Sequence, residues 1–154
     1  MAITIRNAVL DGQPTSLRCD NGIIVELGAD VAPRDGDEVL DADGLALVPG
    51  MVNGHTHAAM TLFRSFGDDL PLMRWLQELI WPAEAKLTAD DVYWGTRLAA
   101  IEMLRSGTVE FCDMYWHGPA VARAAADSGI KAIVASVFFD GGDPEAGIAQ
   151  RNKV

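Results

Sequence analysis

At Pro49-Gly50 the patterning of this chain changes, and the change limits the folds open to it. Before it, short β-branched runs are punctuated by turn dipeptides: Ile3-Thr4-Ile5, then Asp11-Gly12, Asn21-Gly22, and Ile23-Ile24-Val25-Glu26-Leu27 closed by Gly28. Val39 to Gly44 and Leu45-Ala46-Leu47-Val48 continue the series, so residues 1–48 are read as a small antiparallel β unit. After it, strand-like and helix-like segments alternate, the pattern of βα units wound around a parallel sheet.

The first helical stretch falls within Ala58 to Ala85, with break points at Gly67-Asp68-Asp69-Leu70-Pro71 and at Trp81-Pro82, because proline donates no backbone hydrogen bond and disfavours helix in the residue before it. Thr88 with Asp91 three residues on marks the start of the next helix, a capping box with aspartate in place of glutamate. Val92, Thr96, Ala99 and Met103 share one face of it, and Gly107 is its stop. Thr108 to Tyr115 is then a strand, Gly118 to Ser128 a helix closed by Gly129, Lys131 to Phe139 a buried strand, and Pro144 to Val154 the start of a further helix. Three βα units are thus expected. A complete eight-stranded barrel takes roughly 250 residues and only about 105 follow the β unit, so the chain would supply less than half of one.

Composition narrows the function classes. With 22 Asp and Glu against 12 Lys and Arg, the net charge of −10 repels phosphate backbones and anionic headgroups, which argues against nucleic-acid and membrane-surface binding. No apolar stretch is long enough to span a bilayer, and the N-terminus lacks a basic segment followed by an apolar core. Cys19 and Cys112 are far apart and form no CxxC pattern, so neither a disulfide framework nor a cysteine zinc site is indicated; a reducing cytoplasm is the expected location.

Chemistry concentrates in Leu47-Val48-Pro49-Gly50-Met51-Val52-Asn53-Gly54-His55-Thr56-His57. Residues two apart on a strand face the same way, so His55 and His57 would present both imidazoles to one side and could share a metal. A His-x-His dipeptide alone is a weak signal. Here the pair ends an apolar strand at the start of an α/β region, and functional groups gather at the C-terminal ends of parallel barrel strands.

Pro49 to His57 resembles the first-strand motif of the amidohydrolase superfamily. His57-Ala58-Ala59-Met60-Thr61-Leu62-Phe63-Arg64, Asp68-Asp69-Leu70-Pro71-Leu72, Trp75-Leu76 and Ile80-Trp81-Pro82-Ala83-Glu84 are similar to the branch containing S-adenosylhomocysteine/methylthioadenosine deaminases and triazine-ring chlorohydrolases. Leu87-Thr88 through Tyr93 and Ser106-Gly107-Thr108 through Tyr115 continue the resemblance, which covers essentially the whole chain. It implies an α/β fold: the start of a (β/α)8 TIM barrel in residues 49–154, preceded by part of a small β-sandwich in residues 1–48. It also implies that His55 and His57 are the first-strand ligands of one divalent metal, zinc or alternatively iron, and that Glu84 accepts hydrogen bonds from the ribose hydroxyls of an adenosine-type substrate.

The activity implied is hydrolytic deamination of an aminated heterocycle by metal-activated water, on S-adenosylhomocysteine or methylthioadenosine, in a homodimeric enzyme. The remaining ligands, a histidine and an aspartate, and the general acid and base would all lie beyond Val154; the 154 residues are therefore expected to be an inactive segment of a longer enzyme. Ala135-Ser136-Val137 stands where the adenosine-type enzymes carry an arginine, and Arg151, after Gly141-Gly142-Asp143-Pro144, is not assigned to that role. Guanine, pterin, cytosine and triazine rings therefore stay open as substrates, as do a dinuclear amidohydrolase with a carbamylated lysine and a non-catalytic metal-binding fragment. Trp75 and Trp81 are read first as packing, His117 as incidental, and Glu110 and Asp113 as strand carboxylates, with Asp113 a structural hydrogen-bond partner or an orienter of a ligand rather than a base.

Overall fold

The computed structural model describes residues 1–136. The chain divides into two compact units, Met1–Pro49 and Gly50–Val154.

In the first unit, β1 (Ala2–Leu10), β2 (Gln13–Asp20), β3 (Ile23–Gly28) and β4 (Glu38–Asp41) form one sheet in the order β3-β2-β1-β4. Asp11-Gly12 and Asn21-Gly22 close its two hairpins with both residues of each turn at positive φ, as a two-residue turn must have to follow the twist of its strands. The unit is not wholly antiparallel, contrary to the sequence expectation: β4 pairs with β1 in parallel, Ile3 opposite Glu38 to Arg6 opposite Asp41. β2 already occupies one edge of β1, and the connection after β3 brings the chain back to the other edge running in the direction of β1. The run Leu45 to Val48 adds only an isolated bridge, Ala46 to Val9, because the turn at Asp43-Gly44 separates it from β4.

The buried side chains of this sheet are mainly polar. Thr4, Thr15, Ser16 and Arg18 are buried beside Ala8 and Leu17. Arg18 donates from Nε and Nη2 to the two carboxylate oxygens of Asp37, at 2.8 and 2.9 Å, and the Thr4 hydroxyl donates to Oδ2 at 2.7 Å. These bonds, with the Arg34 amide, hold the Asp37 carboxyl far below the usual carboxylate range.

The second unit is mixed α/β. β5 (Met51–Thr56), β6 (Thr108–Met114) and β7 (Lys131–Ala135) form a parallel sheet in sequential order. A 3-10 turn (Ala58–Phe63), α1 (Leu72–Arg74), a π-helical stretch (Trp75–Ile80), α2 (Trp81–Glu84) and α3 (Ala89–Arg105) connect β5 to β6, and α4 (Gly118–Ser128) connects β6 to β7. The capping box at the start of α3 is formed: the Asp91 amide donates to Thr88 Oγ1 at 3.2 Å and the Thr88 amide to Asp91 Oδ2 at 2.8 Å. Gly129, at φ +73°, ends α4.

Gly67 to Pro71 interrupts the connection as expected, but Trp81-Pro82 does not break it. The Trp81 amide donates to the carbonyl of Leu76, five residues back, and this wider turn relieves the clash that a proline ring makes with the preceding α-helical turn. The outer parts of the expected strand and helix, Val137 to Phe139 and Pro144 to Val154, lie outside the described residues.

Phe111, Val92 and Val121 are fully enclosed, with Ala58, Ala59 and Ala100 around them. Burying side chains of this size stabilises by about 1.5–3 kcal/mol each for the larger ones. Among the described residues no helix is long and apolar enough to cross a membrane.

Candidate metal centre

β5 begins where its backbone touches its neighbour. A Cβ on Gly50 would stand 2.5 Å from the Val109 side chain, so glycine lets the strand approach β6 closely. His55 lies on β5 and His57 immediately after it, at the entry to the 3-10 turn, with their ring centroids 5.2 Å apart and their planes at 73°. A second close approach holds the turn in place. A Cβ on Gly95 of α3 would meet the Ala59 carbonyl oxygen at 2.7 Å, and Thr61 donates its hydroxyl to the Gly95 carbonyl at 2.8 Å.

His57 Nδ1 lies 2.7 Å from the carbonyl oxygen of Met114. A carbonyl only accepts, so Nδ1 carries a proton, and in the neutral ring the lone pair available to a ligand is then on Nε2. This is the arrangement by which a metal-binding histidine is fixed in tautomer and orientation. Asp113 acts one layer below. Opposite Thr56 in the sheet and 2% exposed, it accepts the Ala58 amide hydrogen bond at Oδ1, 3.1 Å away. Burial pushes its carboxyl pKa up, while the Ala58 amide and His57 pull it back. It is a structural partner of the turn that follows His57.

Glu84 is not a free solvated charge. Its Oε1 accepts from the Tyr115 hydroxyl at 2.7 Å and its Oε2 from Trp116 Nε1 at 3.4 Å. Burial and the neighbouring Glu84 raise the Tyr115 phenol well above its ordinary value, so it remains a donor. Glu84 and His57 line the same cleft, of about 370 Å³, whose walls include Met60, Trp75, Trp81 and Tyr115.

Trp75 and Trp81, read from the sequence as packing, are thus cleft walls. Trp81 is 44% exposed, and Trp75 is anchored by a hydrogen bond from Nε1 to the Phe66 carbonyl. His117 stands apart from the pair, with φ +53° at the start of α4 and Nε2 3.3 Å from the Leu87 carbonyl. Glu110 is half-buried on β6. Tyr115, Trp116 and the Met114 carbonyl were not singled out from the sequence. A backbone carbonyl has no sequence signature, and the two aromatics acquire their roles only when the end of β6 meets Glu84.

The donor set suits a divalent metal as half of a site: two imidazoles on one strand end, one with its lone pair oriented. Among the described residues, no cluster of three or more His, Cys, Asp or Glu side chains could hold a metal.

The amidohydrolase family matches residues 46–154. A 5-methylthioadenosine/S-adenosylhomocysteine deaminase of Syntrophobacter fumaroxidans is 47% identical over 155 aligned positions, covering 94% of this chain and 35% of that protein. A 5'-deoxyadenosine deaminase of Methanospirillum hungatei is 47% identical over 127, covering 80% and 28%. The chain therefore spans about a third of the length of the curated relatives it matches. Among solved structures, a zinc-bound adenosine deaminase of Xanthomonas campestris superposes with a TM-score of 0.75 at 34% identity, over 86% of this chain and 32% of that one. A triazine hydrolase from Arthrobacter aurescens reaches 0.82 at 19% identity, over 97% and 41%, which speaks for the fold alone. The two histidines at the end of β5 and the parallel sheet behind them thus stand in a chain that belongs to the amidohydrolase family.

Proposed function

We propose that this chain is the N-terminal part of a metal-dependent deaminase acting on adenosine-type compounds. The observation that carries the reading is the placement of His57, ring fixed by the Met114 carbonyl, and of Glu84 on one apolar-walled cleft. In this reading β5, β6 and β7 are the first strands of an eight-stranded barrel, and the sheet of Met1–Pro49 is part of a β-sandwich. The similarity to proteins named as deaminases of methylthioadenosine, S-adenosylhomocysteine and deoxyadenosine supports the substrate class.

His55 and His57 would hold the metal, zinc as in the Xanthomonas structure or alternatively iron, with further ligands from outside residues 1–136. A metal held there would supply an activated water for the replacement of the ring amine, with ammonia as the leaving group. The work of this chain's own residues is to bind and orient. Trp75, Trp81 and Met60 offer apolar walls to a flat ring, and the Glu84 carboxylate, which can only accept, keeps acceptor positions for ribose hydroxyls beyond those used by Tyr115 and Trp116.

The test is ammonia release by the intact polypeptide carrying this segment, before and after chelation, from methylthioadenosine, S-adenosylhomocysteine and 5'-deoxyadenosine, with guanine, pterin, cytosine and an aminotriazine in parallel. Release from the adenosine compounds that stops on chelation and returns with zinc is expected. Release from another ring alone would move the substrate, and no release from any would defeat deamination.

A further inference from the structure

One side chain joins the two halves of this site. Tyr115 is 5% exposed, its ring centroid lies 6.1 Å from that of His57, and its hydroxyl donates to Glu84 Oε1 at 2.7 Å. It follows directly after β6, whose last carbonyl, on Met114, fixes the His57 ring. The same two residues therefore set the imidazole and the carboxylate. Trp116, the next residue, reaches the other carboxylate oxygen at 3.4 Å. Glu84 is the last residue of the helical run 72–84, and a helix end fixes the backbone of a glutamate but not the rotamer of its side chain.

Resting on the reading of Glu84 as the acceptor for ribose hydroxyls, we infer that Tyr115 is a positioning residue for specificity. It fixes the span between the reacting end of the cleft at His57 and the hydroxyl-binding end at Glu84, and so selects ring compounds that carry a vicinal diol at that distance. The physical reason is pre-organisation. A glutamate side chain free to sample several rotamers loses that freedom on binding, whereas one already held by a buried phenol does not. A bond to a charged acceptor is among the stronger side-chain hydrogen bonds, and a carboxylate that accepts one at each oxygen still has lone pairs for further donors.

The experiment compares 5'-deoxyadenosine with 2',3'-dideoxyadenosine as substrates of the intact zinc-loaded polypeptide, in wild type, Tyr115→Phe and Glu84→Gln. Tyr115→Phe should raise KM for the diol-bearing compound by about tenfold, the order expected for one hydrogen bond to a charged group, with kcat little altered and no rise for the dideoxy compound. In the Glu84→Gln background the same substitution should add nothing. Equal effects on both compounds, or loss of kcat alone, would overturn the inference and leave Tyr115 as packing. If wild type itself shows no preference for the diol, the reading of Glu84 fails instead. The crystal structure of the Tyr115→Phe protein then decides the inference separately: Glu84 displaced from the cleft supports it, and Glu84 unmoved overturns it.

Discussion

The two units of this chain are held together in opposite ways. In Met1–Pro49 the buried side chains are Thr4, Thr15, Ser16 and Arg18 with few apolar ones, and the Arg18–Asp37 pair satisfies their most demanding member. In the second unit the interior is Phe111, Val92, Val121 and small alanines, and the polar groups that matter are gathered at the C-terminal ends of β5 and β6. A hydrogen-bonded interior specifies geometry but depends on every partner being present and correctly charged. An apolar one tolerates changes of pH and leaves its polar side chains available for chemistry.

The contrast can be attacked at its strongest point first. Replacing His57 by Ala should reduce metal-dependent activity of the intact polypeptide to background and abolish stoichiometric zinc uptake, while urea unfolding of the metal-free protein stays close to wild type, because the ring belongs to the site and not to the core. Coincident loss of stability would show that site and core are not separable. Next, Phe111→Ala should cost about 3–5 kcal/mol in the second unit, read from denaturant unfolding, with hydrogen exchange in β1 and β2 unchanged. Faster exchange in both units would mean that they unfold as one.

The smallest effect is a shape of curve rather than a collapse. Asp37 has a depressed carboxyl pKa in the folded protein, so its contribution is fully present well above the ordinary value of 3.8 and is lost as pH falls through and below that value. The protection of β1 and β2 against hydrogen exchange, taken relative to the intrinsic rate at each pH, should therefore fall on acidification in wild type, and Asp37→Asn should flatten that dependence while leaving the second unit's profile unaltered. An unchanged acid limb would remove the polar pair from any account of the first unit.

Much of the second unit was legible because its signals are local. Thr88 with Asp91 marks a cap wherever the chain goes, and Gly129 marks a stop, since their partners lie within a turn of themselves. The side-by-side placing of the His55 and His57 rings was legible for the same reason, two residues apart at a strand end. What failed depended on partners distant in sequence. The parallel pairing of β4 is decided by which edge of β1 is free, which no pattern within residues 38–41 records. Trp81-Pro82 was misread because the rule for proline presumes an α-helical turn before it, and the turn here is wider. Tyr115 was read only as the end of a strand, with no role at the site; its importance comes from a carboxylate 31 residues earlier.

That wider turn also determines the phase of the helix. A π-helical turn accommodates one residue more than an α-helical one, so everything after Trp75–Ile80 is rotated relative to what precedes it. Removing a single residue from that stretch would restore ordinary winding and swing Trp81 and Glu84 round together by about 100°, off the cleft they share with His57. Aromatic wall and acidic contact are therefore inherited as one unit: insertion or deletion at this point re-aims both at once, and a relative that lacks the extra residue should present a differently shaped cleft even where its histidines are the same.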